Sequence, residues 1–323
     1  MIKEINTTKV EGKFDSKAMV TKMSRETGRT GKEHCLLTLT DSTDELKARY
    51  WETDIFDKVK VGDIVAVNIE AKPFNNVMSF TLKTFYLLTG EDPAMYRNSF
   101  VPDEEEMKNY LRSKIADIYK SRSDLRVVLE QLFAKEDINK FFKWAAATCM
   151  HHGELNGLLF HTVSMLRHAE ALMETVPLTY GIEPDRHLVN TAIIMHDFFK
   201  TKEYVMNEAG KADVSKYVIL GHIVMGAQFL GYLKYAELIG EELYLQLSHI
   251  LVSHHGELEY GAAARIATVE AHIVHTVDNF DAKMYMLKSE YRKTNEGELA
   301  ANKHFGLQTN VYNPINLASK KQD

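Results

Sequence analysis

Seven residues in the second half of the chain are of types that bind metal ions. Each stands in, or at the end of, an apolar helical run: His161 in LLFHTVSML, His196 and Asp197 in AIIMHDFFK, His222 in ILGHIVMG, His254 and His255 in ILVSHHGE, and Asp278 in IVHTVDNFDAK. Val189 and Ile193 lead into His196 at helical spacing, and Leu247, Ile250 and Leu251 lead into His254, so both imidazoles fall on inward faces. Gly256 reads as the stop of the helix that carries His254. Lys200 lies one turn beyond His196 on the same face. A single histidine on an apolar face is ordinarily a core residue. Five of them with two carboxylates are harder to explain that way, because buried carboxylates need partners. Imidazole and carboxylate together suit Fe, Mn or Zn, and helical domains build such sites from side chains on facing helices. One shared metal site accounts for all seven residues. His275, three residues before Asp278, reads either as a donor that orients a carboxylate or as core. His168, His187, His249 and His272 read as ordinary structural positions.

The order His, His-Asp, His, His-His, Asp resembles the HD-domain metal-dependent phosphohydrolase superfamily, and the added His222 and His254–His255 resemble its dinuclear branch. The resemblance implies one cation on His161, His196, Asp197 and Asp278, and a second on Asp197, His222, His254 and His255, with Asp197 shared. It also implies that Lys200 contacts phosphate; read alone, Lys200 could equally be a surface lysine with a buried stem. The superfamily often reads HD-x-G-K where this chain has HDFFK. The missing glycine is expected to set a bulky ring, Phe198 or Phe199, beside the metal entrance.

These residues need a scaffold. The chain has 323 residues, enough for two domains. It is 45% hydrophobic with a net charge of −6, which excludes global disorder and a bulk polyanion binder. Two distant cysteines, Cys35 and Cys149, and a polar start read as a reduced cytoplasmic protein. No apolar run approaches the ~20 residues that span a bilayer. The first part reads as short strands with period two: CLLTLTD, LKARYWE, DIVAVNIEA and NVMSFTLKTFYLL, separated by turn signals. About five strands in some ninety residues predict a small all-β barrel of the OB-fold type. In LKARYWE, Lys47, Arg49 and Trp51 share one parity. They read as a face for single-stranded nucleic acid, or as a solvated outer face with the indole partly covered. A segment with prolines and an acidic run follows, in which Asp103 to Glu106 suits a helix start. The expected organisation is an OB-fold barrel over 1–92, a linker over 93–106, an all-α HD domain over 107–295 and a polar tail over 296–323.

Taken together, the barrel, CMHHGELNGLLFHTVSML, ILGHIVMG, SHHGELEYG and EAHIVHTVDNFDAK resemble the YhaM-type 3′→5′ exoribonucleases over nearly the whole chain. That resemblance implies hydrolysis of single-stranded RNA, with single-stranded DNA as a second polymer, and it sets His151 and His152 near the substrate; alone they read as loop histidines. Phosphodiester hydrolysis needs an activated water, neutralised phosphate oxygens and a stabilised leaving alkoxide, and two cations ~3.5–4 Å apart supply all three. Mn is the expected metal and Fe the second candidate; the His-rich second site disfavours Mg. An HD-type nucleotide or cyclic-dinucleotide phosphohydrolase, a di-iron oxygenase and a binding module with an inert metal are the competing readings. No membrane partner is expected, and the sequence is compatible with a homo-oligomer.

Overall fold

The computed structural model describes the chain except residues 1–4, 6–10, 29–30, 42–44, 75–76, 97–102, 136–137, 148–152, 154 and 316–323. The chain divides into two compact units. One comprises Met1–Ser99 with Met206–Lys211, the other Phe100–Val205 with Ala212–Asp323.

The first unit is a closed barrel of β1 (Gly12–Thr27), β2 (Glu33–Thr40), β3 (Glu45–Tyr50), β4 (Ile64–Phe74) and β5 (Val77–Leu88), in the order β1-β2-β3-β5-β4. β1 closes the ring on β4, and β3 pairs with β5 in parallel while the other pairings are antiparallel. This is the OB-fold arrangement. Alternation fills the interior: Leu46 and Ala48 of β3 and Val65, Val67 and Ile69 of β4 are buried in one cluster with Leu37 and Leu39 of β2. The sixteen-residue β1 escapes a period-two reading because its pairing with β2 shifts register between Val20 and Lys22. Four consecutive residues, Ala18 to Thr21, are buried there, as a bulge allows by turning extra side chains inward. A second irregularity at Asn68/Ile69 explains why Leu82 and Phe85 of β5, odd-spaced, both meet the core.

The second unit is helical: α1 (Glu104–Ser121), α2 (Ser123–Lys135), α3 (Ile138–Lys143), α4 (Gly157–Tyr180), α5 (Arg186–His196), α6 (Lys200–Glu203), α7 (His222–Tyr235), α8 (Glu241–Ser253) and α9 (Val269–Lys293). The acidic run does start a helix: the Asp103 carboxylate accepts from the Glu106 N–H and caps α1. The first three residues of α1, Glu104 to Glu106, therefore lie inside the stretch read as linker. α4 packs against α9, α5, α3 and α1 around one continuous core. The segment 107–295 is not wholly helical. A hairpin of β6 (Tyr204–Met206) and β7 (Ala212–Val214) interrupts it. Its tip counts with the first unit, where Ala209 is buried with Met19, Ile64 and Tyr96. Strands of three residues are too short for a periodicity to register. In the segment read as a polar tail, Ala300 and Val311 are buried and Leu299 bridges to Tyr312.

Candidate metal centre

α5 is buried without interruption from Leu188 to His196. Its Asp185 cap accepts from the Leu188 N–H at 3.0 Å, and Arg122 holds the same carboxylate at 2.6 Å. The helix thus runs through the core and delivers His196, with Asp197 as its C-terminal cap, to the interior. α8 does the same: Leu247, Ile250 and Leu251 are buried, and His254 caps the end. Both ends carry the partial negative charge of a helix C-terminus, which favours a cation. α4 contributes His161 from its second turn, α7 begins at His222, and α9 carries Asp278 and Asp281.

Each imidazole is held by its Nδ1. The Nδ1–H of His196 donates to the Ile193 carbonyl at 2.7 Å, that of His254 to the Leu251 carbonyl at 2.7 Å, and that of His255 to the Tyr260 carbonyl at 2.9 Å. His161 donates to Asp281 and His222 to Glu203, each at 2.7 Å. A carbonyl or carboxylate oxygen can only accept, so each Nδ1 carries a proton and each ring turns its Nε2 inward. Three overlapping groups result: His161, His196 and Asp278; His196, Asp197 and His254; His222, His254 and His255. Within each group the ligand atoms lie within 4.8 Å of one another. Among the described residues these groups contain all seven sequence-predicted ligands and nothing else.

The donor set fits a divalent transition cation. Asp197 Oδ1, His222 Nε2 and His254 Nε2 are buried without a hydrogen-bond partner, although the first two are 3.2 Å apart. His161 Nε2 and His196 Nε2 face each other at 3.3 Å. An unsatisfied buried polar atom costs about 1–3 kcal/mol, and here several converge on one space.

The electrostatics of the cluster follow from burial and from its own charges. Burial pushes the His254 imidazole well down, and the neighbouring His196 and His255 add to this; burial also lowers His255. Both therefore stay neutral. Burial would raise the Asp197 carboxyl, but Lys200, His196 and His222 hold it well below the usual carboxylate range. Burial opposes ionisation of Asp278 too, and His161 overrides it. His161 runs the other way: burial would lower it, but Asp278 and Asp281 hold it up at about 10. The carboxylates are ionised and the His254 and His255 rings neutral, as metal binding requires, and a cation on His161 Nε2 would displace the proton that Asp278 and Asp281 hold there.

Lys200 is buried, and its Nζ lies 2.6 Å from Asp197 Oδ2, so it is not a surface lysine. The ring expected beside the metal entrance is not there. Phe198 stacks on Phe141 at 5.3 Å within the core, and Phe199 packs on Phe229 at 5.7 Å. The backbone turns at Asp197, and both rings are buried in the hydrophobic core. His275 donates to the His254 carbonyl at 2.7 Å rather than to a carboxylate. Sequence reasoning missed two positioning carboxylates. Asp281 was detectable, one turn after Asp278 on the same face of α9. Glu203, three residues after Lys200, accepts from both the N–H and the Nδ1–H of His222; its partner lies nineteen residues away, and nothing in the sequence announces it.

The remaining predicted residues lie elsewhere. Lys47 and Arg49 are exposed on β3, Arg49 reaching Ser79 at 3.3 Å. Trp51, just past the strand, is 47% exposed with its ring 5.1 Å from His34. His151 and His152 fall outside the described residues.

Residues 158–283 match the HD domain family model; the helical unit carries an HD domain, the fold that surrounds this centre. Over nearly its whole length the chain is similar to curated proteins named 3′-5′ exoribonuclease YhaM. It is 28% identical to that of Geobacillus sp., covering 98% of this chain and 96% of that protein. It is 27% identical to that of Bacillus subtilis, covering 92% and 94%. Among solved structures, the second OB-fold domain of replication protein A from Methanococcus maripaludis aligns with 28% of this chain and 99% of its own, at 18% identity and a TM-score of 0.24. No helix among the described residues is long and apolar enough to cross a membrane.

Proposed function

We propose that the protein is a cytoplasmic, metal-dependent 3′→5′ exoribonuclease that trims single-stranded RNA to mononucleotides, with single-stranded DNA as a second substrate. The observation that carries the reading is the convergence of inward-facing Nε2 atoms and ionised carboxylates on one buried space. Two divalent ions, Mn first and Fe second, would be held by His161, His196, Asp197 and Asp278 and by Asp197, His222, His254 and His255. When bound, they supply Lewis acidity and an activated water for phosphodiester hydrolysis. The chain's own residues do the rest. Asp281 and Glu203 fix the His161 and His222 rings. Lys200 stays charged beside Asp197, because that carboxylate outweighs the burial that would lower it, and it offers its ammonium to a non-bridging phosphate oxygen. Lys47, Arg49 and Trp51 present charge and a ring to a strand, and His151 and His152 are assigned to the substrate. The RNA substrate and the 3′→5′ direction rest on similarity to the YhaM proteins.

The test is 5′-labelled single-stranded RNA with added Mn²⁺. The label should stay on a ladder that shortens from the 3′ end. Intact RNA beside rapid hydrolysis of a small nucleotide or a cyclic dinucleotide would reject the exoribonuclease reading and keep the phosphohydrolase one.

A further inference from the structure

Beside the HD motif lies a cleft of about 770 Å³ that the reading above does not use. Its volume falls within the range of about 300–1,000 Å³ that holds small ligands. Trp144, Tyr204, Tyr217 and Tyr232 line it together with Lys140 and Lys202. No carboxylate lines it, in a chain where Asp and Glu outnumber Lys and Arg by 45 to 39. The Trp144 indole N–H donates to the Tyr204 carbonyl at 3.2 Å, which fixes its plane, and Lys140 Nζ stands 4.6 Å from its centroid. Tyr217 and Tyr232 are 44% and 50% exposed, so solvent reaches both rings, and Lys216 Nζ stands 5.5 Å from the Tyr217 centroid.

α6 ties the cleft to the metal centre. On one side of this single turn, Lys200 pairs with Asp197 and Glu203 holds His222. On the other, Lys202 and the preceding Phe199 form the cleft wall. A group seated in the cleft is thus one helical turn from the residues that position the ligands.

We propose that this cleft is a second single-stranded nucleic-acid site, within the HD unit, in which bases stack on Tyr217 and Tyr232 and phosphates meet Lys140 and Lys202. Aromatic rings interleaved with lysines and free of carboxylates are the chemistry that grips a single strand without reading its sequence. The inference rests on the exoribonuclease reading and adds a grip beyond the barrel.

The test uses the full chain. RNA carrying a photoreactive uridine analogue is irradiated with the hydrolysis-deficient Asp197→Ala protein, and the crosslinked peptides are mapped. In parallel, the KM for RNA is measured for Tyr232→Ala and Tyr232→Phe. Crosslinks should land on the peptides bearing Trp144, Tyr217 or Tyr232. Tyr232→Ala should raise KM about fivefold or more, the loss of one stacked base, and Tyr232→Phe should restore it. Crosslinks confined to the barrel, with KM unchanged in Tyr232→Ala while wild type still shortens RNA, would overturn this site and leave the exoribonuclease reading standing. A dimer that Tyr232→Ala dissociates without altering KM would also overturn it, making the surface an interface between copies. If wild type leaves RNA intact, the parent reading fails first.

Discussion

Gly256 sets the turn that follows α8, and replacing it by alanine should damage the metal centre through His275. Gly256 has φ +80°, and a Cβ built there would lie 2.3 Å from His275 Cε1 and 2.7 Å from both ring nitrogens. The left-handed conformation costs an L-residue roughly 1–2 kcal/mol. The contact forces the imidazole off its hydrogen bond to the His254 carbonyl, worth about 0.5–1.5 kcal/mol. The sum is about 1.5–3.5 kcal/mol. For a unit of this size that is a fall in Tm of roughly 3–14 °C. Since His254 is displaced with its carbonyl, metal affinity should drop about 10–100-fold, as when support of a ligand is lost. The assay is a double-mutant cycle by thermal unfolding. In the His275→Ala background, Gly256→Ala should cost only the backbone conformation, about 1–2 kcal/mol. Strict additivity of the two substitutions, or a single-mutant cost well under 1 kcal/mol, would refute the contact.

Asp281→Ala removes the partner of His161 Nδ1 and should weaken metal binding about 10–100-fold by calorimetric titration, whereas Asp281→Asn, which keeps an accepting oxygen, should lose less. Glu203→Ala frees two donors of His222, and it should selectively weaken a metal held by His222, His254 and His255, visible as one altered transition in a two-step titration. The Glu170 carboxyl would be raised by burial, but Lys114 and Tyr110 lower it below its ordinary value. Its contribution is therefore complete above about pH 4.3 and is lost as pH falls through the folded-state value; Glu170→Gln should flatten that acid limb in urea titrations. Removing metal with a chelator should lower the Tm of the helical unit, and Mn²⁺ should restore it with the logarithm of its concentration over Kd once that ratio is well above one.

That the seven residues cluster was legible because metal chemistry restricts residue type and because helical spacing ties His196 and His254 to apolar faces. The barrel was legible where alternation is clean, as in Leu46 and Ala48 of β3. It was hidden in β1, where a bulge buries Ala18 to Thr21 in succession. HDFFK raised the expectation of a crowded entrance, and what sequence text does not carry is the direction of the chain after Asp197, which sends Phe198 into the core beside Phe141. Glu203 was silent for a similar reason: its role depends on the return of α7 to within 2.8 Å, across a hairpin whose strands are three residues long.

The central claim is that one cluster of seven residues holds the metals that cleave RNA, and the metal-to-protein ratio tests it most directly. Purified wild type, His161→Ala and His254→Ala are loaded with Mn²⁺, freed of unbound metal and analysed by mass spectrometry for metal per chain. The account predicts two ions in wild type and fewer in each variant, with RNA hydrolysis lost in both. A wild type that retains no metal, or variants that keep the full complement, would contradict it.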